Sequence, residues 1–171
     1  MSDMRILVVS SCTKRKKKEK DKASEIYLGK QHLYVKKGVK LLKENNNVDW
    51  YIISAKYGII NENEVIEPYD LSFNKMSRKD IRELSTGLGI EEKLSSLIKN
   101  YKLAFFILGE KYLISIEDLL DKLPISSVFF TNRELPHETV KCGIKEAKKY
   151  HIPMVSLKGY LFLEYIKKKK I

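Results

Sequence analysis

The sequence predicts an α/β protein, a three-layer sandwich around a largely parallel, doubly wound sheet of four to five strands, in one domain spanning residues 1–171. Three observations predict it. Short apolar runs, rich in β-branched and aromatic residues, recur at 5–9, 50–53, 103–108 and 127–130; nearly continuous runs of this kind fit strands buried on both faces. Stretches with apolar residues every three or four positions separate them, as in repeated strand–helix units. Each run also ends abruptly in polar residues, and the C-terminal ends of strands are where open α/β sheets keep ligand sites.

In order, Arg5-Ile6-Leu7-Val8-Val9 reads as a central strand, and Ser10 to Lys14 leaves its C-terminal end. A helix is predicted from Ser24, carried by Tyr34, Gly38, Leu41 and Leu42 and stopped by Asn45-Asn46-Asn47. Trp50 to Ile53 is the second strand. Ser77 with Asp80 three residues on is a capping box, opening two amphipathic helices marked by Ile81 and Leu84, then Leu94, Leu97 and Ile98. Thr86-Gly87-Leu88-Gly89 separates them. Leu103 to Leu108 is the third strand, and Gly109 lets the chain turn sharply. Ser115 to Leu123 is a short helix closed by Pro124. Ser127 to Phe130 is the fourth strand, Val140, Ile144 and Ala147 mark a helix, Pro153 to Leu157 a fifth, short strand, and Tyr160 to Lys170 a closing helix. Ser10, Ser54, Gly109 and Thr131 then open toward one edge of the sheet.

The chain is long enough to bury about 70% of its unfolded surface without disulfides. No apolar run approaches the ~20 residues of a membrane span, no signal-peptide pattern opens the chain, and Cys12 and Cys142 lie far apart without metal-ligand spacing. A cytoplasmic protein is the expectation. Lys and Arg total 33 against 22 Asp and Glu, a net charge of +11. That excess favours polyanionic partners such as nucleic acid or nucleotides, while a lysine-rich solvated surface explains the same total. The block from Lys14 to Lys22 stands out because it directly follows a strand end.

Two segments carry the candidate chemistry. Ser10, Ser11, Cys12, Thr13 and Lys14 place hydroxyls, a thiol and a cation after the first strand, where backbone amides and a lysine hold a phosphate or carboxylate. The glycines of a Walker loop are missing. Cys12 is either a nucleophile favoured by neighbouring cations or a packing residue. The second segment runs from Ser54, Lys56, Tyr57 and Gly58 to Glu67, Pro68, Tyr69 and Asp70. Proline stiffens the loop between two carboxylates; a fixed carboxylate orients a water as general base, and tyrosines stack on a base. The structural alternative is an acidic turn with Tyr69 as a core plug. Gly109 and Tyr112 join by position, at the same sheet edge. His32, His137 and His151 form no H-x-x-x-H or His/Cys cluster, so neither a metal nor a cofactor is predicted.

Ser11-Cys12-Thr13-Lys14, Tyr27-x-Gly29, Ser54-Ala55-Lys56-Tyr57-Gly58-Ile59-Ile60, Glu67-Pro68-Tyr69-Asp70-Leu71 and Gly109-x-x-Tyr112 occur in that order over about residues 5–125. Together they resemble an uncharacterised domain family of bacteria, archaea and phages with the pattern S-C-(S/T)-K, S-A-K-Y/H-G-L-L and P-Y-D. That family is distantly similar to the YaaA family of peroxide-stress proteins, associated with DNA binding, and to the uracil-DNA-glycosylase-like domain beside archaeosine-forming tRNA enzymes. In those glycosylases a water-activating Asp precedes Pro-Tyr; Glu67 holds that place here, and their later His-Pro-Ser segment has no counterpart in His151-Ile152-Pro153. The resemblance implies a nucleotide or nucleic-acid ligand.

The expected function is handling of a nucleobase, nucleoside or nucleic acid by N-glycosidic bond cleavage or exchange. Glu67 or Asp70 would activate water, Tyr57 and Tyr69 would stack on the base, and Lys14 and Lys56 would neutralise phosphate. A non-catalytic DNA- or RNA-binding module is the alternative, and a nucleotide-sensing regulator a third reading.

Overall fold

The computed structural model describes residues 4–171. Its centre is a six-stranded sheet. Strand β1 (Arg5–Ser11) lies in the middle, flanked by β3 (Asn47–Ser54) and β6 (Leu103–Ile107). Outside β3 is β4 (Gly58–Asn61); outside β6 are β7 (Ser126–Phe130) and then β8 (Glu138–Val140). Every pairing is parallel except β3 with β4. Two short strands, β2 (Asp21–Lys22) and β5 (Val65–Ile66), form a separate antiparallel ribbon.

The apolar runs form these strands for the reason their composition suggests. Ile6 to Val9, Ala104 to Ile107 and Val128 to Phe130 are buried without alternation, because helices cover both faces. Phe106 on β6 stacks on Phe129 on β7 with ring centroids 4.4 Å apart. Full burial of a side chain of this size contributes about 1.5–3 kcal/mol.

Helix α2 (Lys30–Lys43) and the last helix, α7 (Met154–Lys169), pack on each other over the central strands. Two glycines allow that approach: a Cβ on Gly159 would lie 2.6 Å from the Gln31 carbonyl, and one on Gly38 would lie 2.4 Å from the Phe162 ring. Helices α3 (Arg78–Leu88) and α4 (Ile90–Leu97) follow α1 (Ala23–Ile26) and α2 in the chain. Ser77 caps α3 by accepting the Asp80 N–H at 3.1 Å, and Gly89, at φ 67°, ends it. Helices α5 (Glu110–Ile114) and α6 (Ile144–Tyr150) complete the set.

Four local readings change. The segment after Ser54 is a hairpin rather than an open loop: Ser54 pairs with Gly58, whose φ of 79° favours glycine, and Ile59-Ile60 return as β4. Pro153 to Leu157 is no strand, because Pro153 is the N-cap of α7 and Met154 to Leu157 are its first turn. Val140 belongs to β8, and no α-helix forms over 115–123: the helix is Glu110–Ile114, directly after the Gly109 turn, and the expected span holds only a 3-10 turn at Glu117–Leu119.

The strand order contains one switch point. The chain moves from β1 to β3 on one side and then crosses to β6 on the other. The order therefore reverses between β1 and β6, and the crevice outside the carboxyl ends at such a switch point is the usual ligand position in open α/β sheets.

Candidate functional site

The segment leaving β1 is held from both sides. The Cys12 N–H donates to the Ile53 carbonyl at 3.0 Å, extending the β1–β3 ladder by one residue. Ser11 Oγ accepts the Gly109 N–H at 3.4 Å, and Thr13 Oγ1 accepts the Gly29 N–H at 3.2 Å. Gly29 permits that contact, since a Cβ there would meet Thr13 Cβ at 2.7 Å. The basic stretch is no free loop: the Leu28 N–H donates to the Arg15 carbonyl at 2.8 Å and the Lys17 N–H to that of Ile26 at 2.9 Å.

Beneath it lies a cluster of hydroxyls around one thiol. Ser54 Oγ accepts the Lys56 and Tyr57 N–H groups at 3.1 and 3.0 Å and donates to the Tyr69 hydroxyl at 2.7 Å. The Tyr69 and Tyr27 hydroxyls are 2.6 Å apart, and Cys12 Sγ lies 2.9 Å from the Tyr112 hydroxyl. Burial pushes the Tyr27, Tyr69 and Tyr112 hydroxyls well above the ordinary tyrosine range, and the nearby Cys12 sulfur pushes in the same direction. All three therefore keep their protons near neutral pH and remain donors. The Lys16 ammonium caps the cluster, 4.4 Å above the Tyr69 ring, and donates to the Lys14 carbonyl at 3.1 Å. Partial burial lowers its pKa, while Cys12 and Asp70 raise it. Behind Tyr27, His32 is buried against Trp50, its Nε2–H donating to the Ser24 carbonyl at 2.8 Å.

Above the cluster opens a cavity of about 490 Å³. Its walls come from Ser11–Lys14 and Lys16, from Asp70–Ser72 and Asn74, from Gly109, Glu110 and Tyr112, and from Gln31, Met154, Val155 and Lys158. A second hollow of about 360 Å³ adjoins it, sharing Lys14, Asp70, Leu71, Ser72 and Asn74. The loops after β1 and β6 both reach the cavity, so it sits at the switch point. Its charges divide into two kinds. Lys158 Nζ binds Glu110 Oε1 at 2.9 Å and the Leu108 carbonyl at 2.6 Å, and Thr131 Oγ1 donates to the same Glu110 oxygen at 3.1 Å. Among the described residues, the Asp70 carboxylate and the Lys14 ammonium make no hydrogen bond or ion pair.

The residues singled out from the sequence therefore separate. Ser11, Cys12, Thr13, Lys14, Asp70, Gly109 and Tyr112 line one cavity. Ser54 and Tyr69 lie in the cluster that supports it. Ser10 is buried in β1 and accepts the Trp50 indole N–H at 2.8 Å. Glu67 is exposed outside the cavity wall, its carbonyl accepting the Tyr57 hydroxyl at 3.3 Å. The Lys56 ammonium sits over the Tyr57 ring at 5.2 Å, and the Tyr57 and Tyr69 rings pack edge to face. Gly58 and Pro68 shape the turn and the loop. Sequence reasoning did not assign Lys16, Tyr27, Gln31, Ser72, Asn74, Met154, Val155 or Lys158 to the site. Tyr27 carried a signal in its spacing to Gly29; the α7 residues carried none. Among the described residues no group of three His, Cys, Asp or Glu is placed to hold a metal ion, and no helix is long and apolar enough to cross a membrane.

Fold and site define a doubly wound α/β protein with a polar cleft at the switch point of its sheet. The chain belongs to DUF6884, a family of unknown function, whose model matches residues 6–132. No curated protein and no solved structure matches it. The matched segment holds β1 to β7 and the hydroxyl cluster; helix α7, which closes one wall of the cleft, lies beyond it.

Proposed function

We propose that the cleft takes a nucleoside or nucleotide and that its reaction is cleavage or exchange of the N-glycosidic bond. The observation that carries this reading is the uncommitted Asp70 carboxylate, in one cavity with the uncommitted Lys14 ammonium, where Glu110 is already held by Lys158. A carboxylate without a partner has lone pairs for a water. In hydrolysis that water's oxygen bonds to the anomeric carbon as the bond from carbon to base nitrogen breaks; Asp70 takes the water's proton and the base leaves with the bonding pair. Tyr112, kept protonated by burial and bonded to Cys12 and Ser72, forms the rigid cavity floor. Lys14 and Lys16 face an anionic group of the ligand. Of the two carboxylates weighed from the sequence, Asp70 takes the role and Glu67 does not.

The test is release of free base, followed by chromatography, from nucleosides, nucleoside monophosphates, single- and double-stranded DNA and tRNA. Turnover lost in Asp70→Asn and kept in Glu67→Gln supports the reading; no base release from any of them overturns the reaction.

A second reading, a non-catalytic DNA- or RNA-binding module, is favoured by the exposed Lys14, Arg15, Lys17, Lys18, Lys20 and Lys22 beside the cleft. Its signature is affinity confined to long polyanions that falls steeply with salt.

A further inference from the structure

The first turn of α7 and the loop after Asp70 leave an apolar surface that the fold does not use. Met154 is 49% exposed, Val155 81% and Leu71 38%, and all three line the cavity that holds Lys14 and Asp70. Among the described residues only three other large apolar side chains are comparably exposed, Leu33, Val65 and Ile144, and none of them lines this cavity. Single exposed apolar residues are ordinary on a surface, but a group at the mouth of a cleft marks a contact site.

Polar neighbours narrow the occupant. Ser72, Asn74 and Gln31 line the same walls, and Gln31 uses only its Oε1, which accepts the Gly159 N–H at 3.0 Å. Its amide N–H groups point to no partner among the described residues. A plain alkyl chain would cover the apolar side chains and leave the Gln31 and Asn74 amides unpaired, at a cost of about 1–3 kcal/mol for each group left buried. A heterocycle satisfies both, with an apolar face and a hydrogen-bonding edge. The uncommitted Lys14, with Lys16 beside it, supplies complementarity to an anion within the same cavity.

We propose that Met154 and Val155, with Leu71, form the platform on which the ligand's base lies, while Lys14 holds its phosphate. The ligand is then a base-bearing monophosphate, and the α7 residues that read its base lie outside the family-matched segment. This inference rests on the reading of the cleft as a nucleotide site and adds its specificity determinants.

The experiment is calorimetric titration of the full chain with the common nucleoside monophosphates, ribose 5-phosphate and a 5′-phosphorylated oligonucleotide. The proteins compared are the wild type, the double variant Met154→Ala/Val155→Ala and Lys14→Ala. Both α7 side chains are exposed, and alanine is a good helix former, so the double variant should melt with the wild type. The double variant is expected to bind nucleoside monophosphates about tenfold more weakly, the scale of a few methylenes lost from a pocket, with ribose 5-phosphate unchanged. Lys14→Ala is expected to weaken both. If the oligonucleotide alone shows the loss, the platform serves a strand end; if free monophosphates show it, it serves a free nucleotide; either supports the proposal. Nucleotide binding that the double variant leaves intact, or weakens equally with ribose 5-phosphate, overturns the platform while leaving the nucleotide reading standing. No nucleotide binding by the wild type overturns both.

Discussion

Two charged regions of this molecule are built on opposite terms. On the flank formed by α3, α4 and the turn at 117–118, each charge of the network has a partner. The Arg82 guanidinium binds Glu91 at 2.9 Å, Asp118 at 2.7 Å and the Ile114 carbonyl at 3.0 Å; Glu117 takes Arg78 at 2.7 Å; and Glu91 also accepts the Asp118 N–H at 2.9 Å. The Glu91 hydrogen bond, then the surrounding carboxylates, raise the Arg82 pKa above its ordinary value. At the switch-point cleft, by contrast, the Asp70 carboxylate and the Lys14 ammonium line a cavity without a hydrogen bond or ion pair among the described residues, above hydroxyls that are bonded to one another. A saturated network fixes three elements to one another and leaves nothing for a ligand. A saturated floor under unsaturated walls is what a binding site requires: rigid support with spare donors and acceptors.

Substitutions should therefore act differently on the two regions. The largest expected effect is on turnover: Asp70→Asn should lower kcat by about 10²–10⁴-fold, the range for a general base, with the urea midpoint unchanged. Glu67→Gln, three residues away and, unlike Asp70, outside the cavity lining, should stay within about twofold. Equal losses in the two variants would erase the distinction drawn between these carboxylates.

Acid should weaken the cleft side through His32. Burial holds its imidazole down to about 4, and its Nδ1 has no partner. The unfolded chain binds the proton near pH 6.5. Between pH 6.5 and 4 the unfolded state thus carries more protons, and stability, fully present above pH 6.5, falls as pH drops toward 4. The slope approaches about 1.4 kcal/mol per pH unit. Urea melts from pH 7 to 5 should show it in the wild type and not in His32→Phe; parallel curves would assign acid sensitivity elsewhere.

Tyr69→Phe removes the hydroxyl that joins Ser54 to Tyr27 and should cost about 1–3 kcal/mol, the penalty for unpaired buried groups. Arg82→Ala, in a network still partly exposed to water, should cost about 1–2 kcal/mol and leave ligand binding unchanged. Lys14→Ala should shift stability by no more than about 0.5 kcal/mol, as for an exposed side chain without partners, yet weaken phosphate binding. A Lys14→Ala protein that melts like Arg82→Ala would mean the two regions are not of different kinds.

The sheet was legible in the sequence where burial on both faces leaves nothing but apolar residues, as in Ile6 to Val9 and Phe105 to Leu108. Strand β4 was not, because Ile59-Ile60 is too short to show a period and its hairpin depends on the Ser54 side chain bonding two backbone N–H groups. Pro153 to Leu157 misled because one apolar turn of a helix and a short strand read alike. For the site, strand-end polarity located Ser11 to Lys14, Asp70, Gly109 and Tyr112. It could not separate Glu67 from Asp70, since both are exposed on one loop and only the loop's path brings Asp70, and not Glu67, to the cavity lining. Lys158 and Val155 were invisible for a plainer reason: α7 reaches the cleft by packing on α2, a contact 128 positions away in sequence that depends on Gly159 meeting the Gln31 carbonyl.

The most direct measurement is an amide chemical-shift titration of the isotopically labelled protein with nucleoside monophosphates. Saturable shifts confined to residues 11–16, 70–74, 109–112 and 154–158, and absent in Lys14→Ala, are the predicted result. Shifts centred on the Arg82 network, or spread along the exposed lysines and abolished by salt, would contradict the placement of the site at the switch point.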